Sequence, residues 1–251
     1  MSDEEQKAAK KEEKAGASEG GFFKALKFAF SHKQLRWLYI SSAFVNIGFL
    51  LIVEYQVIMT YGYAEYYLRK GIFASLSEAV NAAGIGVVTD ALFLFTVGSA
   101  VAQVLMGYIS DGKGRKAAAI TMASLCVMSL LIFFTGANLG WPGWIVGFFC
   151  GASVGSFYST NDVIIMMIGE SSPTGLRSST ISAQAVVMGA GVVFSNVVGV
   201  PLLTVLGNSF AGVLVLAMAV PGFVVALVML CRKTADTTGI NMDTVTGLEW
   251  D

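Results

Sequence analysis

Gly107-Tyr-Ile-Ser-Asp111-Gly-Lys-Gly114-Arg115-Lys116 sets a glycine-rich basic turn between two long apolar stretches. A short cationic connection between apolar segments marks the cytoplasmic side of a membrane protein. Its aspartate and arginine are placed to pair across the ends of the two helices they join. Read outward from this turn, the chain lives in lipid. Hydrophobic residues make up 55% of the 251 positions, charged ones only 13%, and mean hydropathy is +0.69. Those values exclude an ordinary soluble domain. A net charge of −1 offers no basic field for nucleic acid, so the information lies in where the charges sit. They crowd into the first 36 residues and a few short connections.

Six apolar spans are predicted, at about 37–61, 87–110, 117–137, 143–168, 179–206 and 209–231. Each is close to the ~20 residues that cross a hydrocarbon core of ~30 Å. All must be helical, because lipid offers no partner to open backbone groups. The expected fold class is therefore all-α, a polytopic six-helix membrane bundle over 37–231. Residues 1–21 read as a charged low-complexity tail and 232–251 as a polar C-terminal tail. Residues 22–36 read as an interfacial amphipathic helix whose Lys24 and Lys27 reach an anionic leaflet, the alternative being an extended start of the first span. With both termini inside, Arg69 and Lys70 are the only basic residues outside, which predicts an inner- or plasma-membrane protein with cytoplasmic ends. Ser75-Leu-Ser-Glu78 has the pattern of a capping box, with Gly84 and Gly86 as a break beyond it.

Chemistry-bearing residues inside the spans are few. Counting ~1.5 Å per residue from Trp37 puts Glu54 ~26 Å up its helix. A carboxylate at that depth costs roughly 2.5–3.5 kcal/mol unless it faces a cavity, a partner or a proton. Glu54 is thus a candidate proton site or ligand for a substrate amine, or else a hydrated residue near the outer interface. Asn46, Gln56, Gln103 and Asn161 are neutral candidates for substrate contact, and interhelical hydrogen bonding explains such amides as readily. At the inner ends, Arg115 has Asp111 or Asp162 as possible partners, with Glu170 and Arg177 able to join. Gly147, Gly151 and Gly155 form small-xxx-small steps for close helix packing. Gly189, Gly191, Gly199 and Pro201 suggest a flexible fifth span. Cys126, Cys150 and Cys231 have no metal spacing and read as buried small hydrophobes. With a single histidine, no nucleotide-binding loop and no Ser/His/Asp arrangement, neither an enzyme nor a metal or other cofactor is expected.

The 107–116 turn resembles the signature loop of the major facilitator superfamily, G-x-x-x-D-[RK]-x-G-R-[RK]. Gly107, Asp111, Gly114, Arg115 and Lys116 match it, and Gly112 stands where a basic residue is usual. Glu170-Ser-Ser-Pro173-Thr174-Gly-Leu176-Arg177 resembles the E-x-x-P-T-x-L-R connection of that superfamily's sugar and organic-acid transporters. The tail from Thr234 to Gly239 is similar to the polar ending after their last helix. The resemblance implies the second half of a twelve-helix fold, and secondary transport of a small organic solute by alternating access. It makes Gly107, Asp111, Gly114, Arg115, Lys116, Asp162, Glu170 and Arg177 a cytoplasmic gate, the bland alternative being solvated topology determinants. Membrane lipid, a small-molecule substrate and a second bundle (an N-terminal-half chain or a second copy) are the implied partners. The rival reading is a non-transporting remnant, or a regulatory partner of a full-length transporter.

Overall fold

The computed structural model describes residues 19–240. Most of the tail expected over 1–21, and the C-terminal tail beyond 240, lie outside the described residues. Among the described residues there is no strand. Helix α1 (Glu19–Ser31) is separated from α2 (Lys33–Asn46) by His32, whose backbone is extended. α2 passes through a single 3-10 turn, Ile47–Phe49, into α3 (Leu50–Arg69). The short α4 (Leu76–Ala82) starts where the capping pattern predicts, with Ser75 Oγ accepting the Glu78 N–H at 3.3 Å. A π-helical segment, Ala83–Val88, then carries the chain through Gly84 and Gly86 into α5 (Thr89–Lys113). There follow α6 (Arg115–Leu139), α7 (Gly143–Glu170), α8 (Arg177–Leu206) and α9 (Ala211–Lys233).

Among the described residues, five rods are long and apolar enough to cross a bilayer: Lys33–Arg69, Leu76–Lys113, Arg115–Leu139, Thr174–Leu206 and Asn208–Lys233. The sequence predicts a sixth at 143–168. The structure does build that helix, and its 28 residues span ~42 Å, but Ser153, Ser156, Ser159, Thr160, Asn161 and Asp162 dilute its apolar character. The reason is position. α7 lies against α5 and α6 along its length, and most of its residues are buried. A helix shielded by its neighbours need not be apolar all round. Two of its buried hydroxyls bond within the helix, Ser153 donating to Cys150 O at 2.7 Å and Thr160 to Ser156 O at 2.7 Å, whereas Ser159 Oγ has no partner among the described residues. The whole is an all-helical membrane bundle, with a core running through Tyr39, Tyr63, Phe133, Phe157 and Phe223.

Two seams of small residues set the packing. A Cβ placed on Gly147, Gly151 or Gly155 of α7 would lie 2.2, 1.8 or 2.6 Å from the carbonyl oxygen of Ala91, Phe95 or Ser99 on α5. These are backbone-to-backbone contacts repeated every four residues, the close approach that small side chains permit. The second seam runs along α8. α8 is one unbroken helix through Pro201, and Gly191 and Gly199 are close-packing positions on it. A Cβ at either would come within 2.1 Å of Ala43 O or Leu50 Cδ1. Between them, Ser195 Oγ accepts the Leu50 N–H at 3.2 Å, satisfying an amide just after the 3-10 turn.

Glycine also makes the joints. Gly114 (φ 97°, ψ 163°) and Gly207 (φ 86°, ψ 160°) adopt almost the same backbone conformation, one that side-chain-bearing residues rarely reach. The α5–α6 and α8–α9 connections thus share one hinge shape although their sequences differ. Cys231, expected to be buried, is exposed at the end of α9 beside Arg232 and Lys233, whereas Cys126 and Cys150 are buried.

Candidate functional site

The reversal at Gly114 brings the last turn of α5 against the first turn of α6, and Arg115 gathers a cluster there. Its Nη1 lies 3.2 Å from Asp111 Oδ1 and donates to Ser110 Oγ at 2.5 Å, while Nε donates to Glu170 Oε1 at 3.1 Å. Glu170 closes α7, and its second oxygen, Oε2, accepts from Thr237 Oγ1 at 2.5 Å. The expected alternative partner, Asp162, is not in the cluster. It sits eight residues back along α7, ~12 Å of rise from Glu170, and among the described residues it forms no salt bridge. Arg177 braces the same helix end, donating from Nε to Gly169 O at 2.9 Å and from Nη2 to Ser172 O at 3.5 Å. Lys116 takes carbonyls instead of a carboxylate: its Nζ donates to Cys231 O at 3.0 Å and Thr234 O at 2.7 Å. Gly107 packs against nothing, since a Cβ there would meet no atom within 4 Å.

The tail after α9 is the part that sequence reading missed. Asp236 Oδ1 accepts the Lys116 N–H at 3.1 Å, and Thr238 Oγ1 accepts the Arg115 N–H at 2.9 Å. Gln34, at the start of α2, exchanges two hydrogen bonds with Ala235 at 3.0 and 2.9 Å. Residues 234–238 therefore tie α2, the α5–α6 joint and the end of α7 to the end of α9. Gly114 is fixed twice over, because a Cβ there would also lie 2.1 Å from Asp236 Oδ2. Partial burial alone would raise the Asp236 carboxyl. Hydrogen bonds from the Lys116 N–H, the Thr238 hydroxyl and the Thr238 and Thr237 amides outweigh it and hold the group below the ordinary carboxylate range. The signal available in the sequence was the Asp236-Thr-Thr-Gly239 run, whose acceptor and hydroxyls suit local backbone capping.

Within the bundle, one polar seam crosses three helices. Asn46, the last residue of α2, donates from Nδ2 to Asn161 Oδ1 of α7 at 2.7 Å and to Ser42 O at 2.8 Å. Asn161 donates to Phe157 O at 3.2 Å, and Gln184 of α8 donates to Ser42 Oγ at 2.6 Å. Asn46 and Asn161 are 2% and 6% exposed. The other candidates stand apart from this seam. Glu54 is half-buried on α3 and, among the described residues, has no hydrogen bond or ion pair. Its neighbour Tyr55 stacks on Phe95 at 4.7 Å, and Gln56 donates to the Tyr55 hydroxyl at 3.1 Å. Gln103 is exposed on α5. Of the adjacent pair on α7, Asn161 points inward and Asp162 outward, sharing its exposed face with Tyr158 one turn earlier.

Comparison with known proteins places this architecture. The family described as "Sugar (and other) transporter" matches residues 86–236, more than half of the chain, from the π-helical segment through the Arg115 cluster to Asp236. An Arabidopsis thaliana protein named Sugar transporter ERD6-like 16 is 37% identical over 105 residues, 40% of this chain and 20% of that relative. The aligned part thus spans about a fifth of the relative's length. No solved structure matches the chain. The apolar rods, the basic turn at Gly114 and the matched stretch together make this chain a member of the sugar (and other) transporter family of the major facilitator superfamily.

Proposed function

We propose that the chain is one bundle of an alternating-access transporter for a small, sugar-like solute, and that it works with a second bundle supplied by another chain or a second copy. The observation that carries this reading is the outward face of α7. Asp162 is exposed there beside Tyr158, within a rod of membrane length. A charge at such depth costs roughly 2.5–3.5 kcal/mol unless it meets water or a partner. That face calls for a wet cavity closed by a second wall. Behind it lies the Asn46–Asn161 pair. Carboxamides supply both donors and acceptors, the pairing that sugar hydroxyls need. The matched family, and the relative named as a sugar transporter, point to the same solute class.

In this reading Asn46 and Asn161 exchange their mutual hydrogen bond for the solute, and Gln56 and Gln103 are secondary contacts. Glu54 is the coupling or binding carboxylate. The Arg115–Glu170–Asp111 cluster holds the cytoplasmic end closed, with Gly107, Gly114, Lys116 and Arg177 shaping it and both termini on that side. Uptake of radiolabelled hexoses into proteoliposomes tests it, for the chain alone and for the chain reconstituted with an N-terminal-half bundle of the same family. Saturable uptake that falls about tenfold or more in Asp162→Asn and Asn46→Ala, a loss of at least ~1.4 kcal/mol, is the expected result. No uptake above protein-free vesicles in either arrangement overturns it and leaves the chain a non-transporting partner.

A further inference from the structure

At the Arg115 end, the start of α2 and the end of α9 enclose a pocket of about 210 Å³ lined by Lys33, Gln34, Arg232, Lys233, Thr234 and Ala235. Its floor is fixed by the paired hydrogen bonds between Gln34 and Ala235, with Gln34 only 2% exposed. Its rim is cationic. Among the described residues, Lys33, Arg36, Arg232 and Lys233 have no carboxylate partner. Arg36 and Lys233 each stand 5.7 Å from the ring of Trp37. Two carbonyls at the end of α9, those of Cys231 and Thr234, accept from Lys116 Nζ.

Helix polarity separates these cations into two kinds. Arg232 and Lys233 lie in the last turn of α9, where positive charge complements the helix end. Lys33 and Arg36 lie in the first turn of α2, which holds no acidic residue. Positive charge is unfavourable at a helix N-terminus. An anion resolves that conflict from both sides. We infer that this pocket seats a phosphate-bearing anion, drawn either from a phospholipid headgroup or from solution. It lies at the tip of a rod long enough to cross a bilayer, beside an aromatic residue suited to the interface.

Native mass spectrometry of the full chain in detergent tests the assignment, with phosphatidic acid titrated against phosphatidylcholine and with inorganic phosphate as competitor. Phosphatidic acid should be retained in preference, about fivefold more weakly in Lys33→Gln and again in Lys233→Gln. Lys113→Gln at the exposed end of α5, outside the pocket lining, should leave retention unchanged. Displacement by millimolar inorganic phosphate assigns the site to a soluble anion, and resistance to it assigns the site to lipid. A rise in unfolding temperature of the unaltered chain with either ligand gives a readout that needs no variant to fold. Equal retention of the two lipids with no phosphate effect overturns the inference, as does an equal loss in Lys113→Gln.

Discussion

Arg115 has two carboxylates at nearly equal distance, 3.1 Å to Glu170 and 3.2 Å to Asp111, but their surroundings differ. The Asp111 side chain is 82% exposed and that of Glu170 only 17%, so water competes for the first pair far more than for the second. Exposed ion pairs contribute about 0–1 kcal/mol, whereas a hydrogen bond to a sheltered charged group contributes about 1.5–3 kcal/mol. Glu170→Gln is expected to cost the larger amount in denaturant unfolding and Asp111→Asn the smaller. Arg115→Ala removes both pairs, and raised cysteine-labelling accessibility at that end is the expected outcome. Asp236 adds a pH dependence. Its carboxyl is held below its unfolded value of about 3.9, so its stabilisation is complete above that value and is lost as pH falls through the folded one. Amide exchange at 234–240 should therefore accelerate below about pH 4, and Asp236→Asn should flatten that response. Asp111 and Glu170 were both expected beside Arg115 from the sequence, whereas Asp236, Thr237 and Thr238 were not. Glu170, Asp236 and Thr238 reach the turn from 55, 120 and 123 positions away.

Among the helices, the α5–α7 seam is where a single atom matters most. A Cβ on Gly151 would lie 1.8 Å from Phe95 O, and backbone on both sides cannot yield as a side chain does. Gly151→Ala should cost about 1–3 kcal/mol or more, read as a lowered unfolding temperature. Gly189→Ala is the control. Its Cβ would meet nothing within 4 Å, so the change should be neutral or stabilise by up to about 1 kcal/mol, the ordinary helix preference for alanine. The α7 seam was readable beforehand because glycines four apart announce one helix face. The α8 seam was not, because Gly191 and Gly199 gain their meaning from Ser195, and Ser195 from a 3-10 turn some 145 residues earlier. The sequence reading likewise counted α7 as a span like its neighbours, although it is not among the five rods apolar enough to cross by hydropathy. Its polar run is tolerated only because α5 and α6 cover it, a fact of packing and not of composition.

At the scale of the molecule, the distribution of charge and apolar stretches was enough to forecast an all-helical membrane bundle, because lipid permits so few backbone solutions. The strap formed by residues 234–238 escaped that reading. Its bonds join residues as far apart as Gln34 and Ala235, 201 positions, and no local pattern encodes such a meeting. It has a practical consequence for anyone making derivatives of this protein. A fluorescent reporter or purification handle grafted directly after Lys233 would amputate the strap and set loose the tips of α2, α6 and α7 together. The same graft placed beyond residue 240 leaves every one of those bonds in place, so two such fusions compared side by side would differ in foldedness before any question of activity arose.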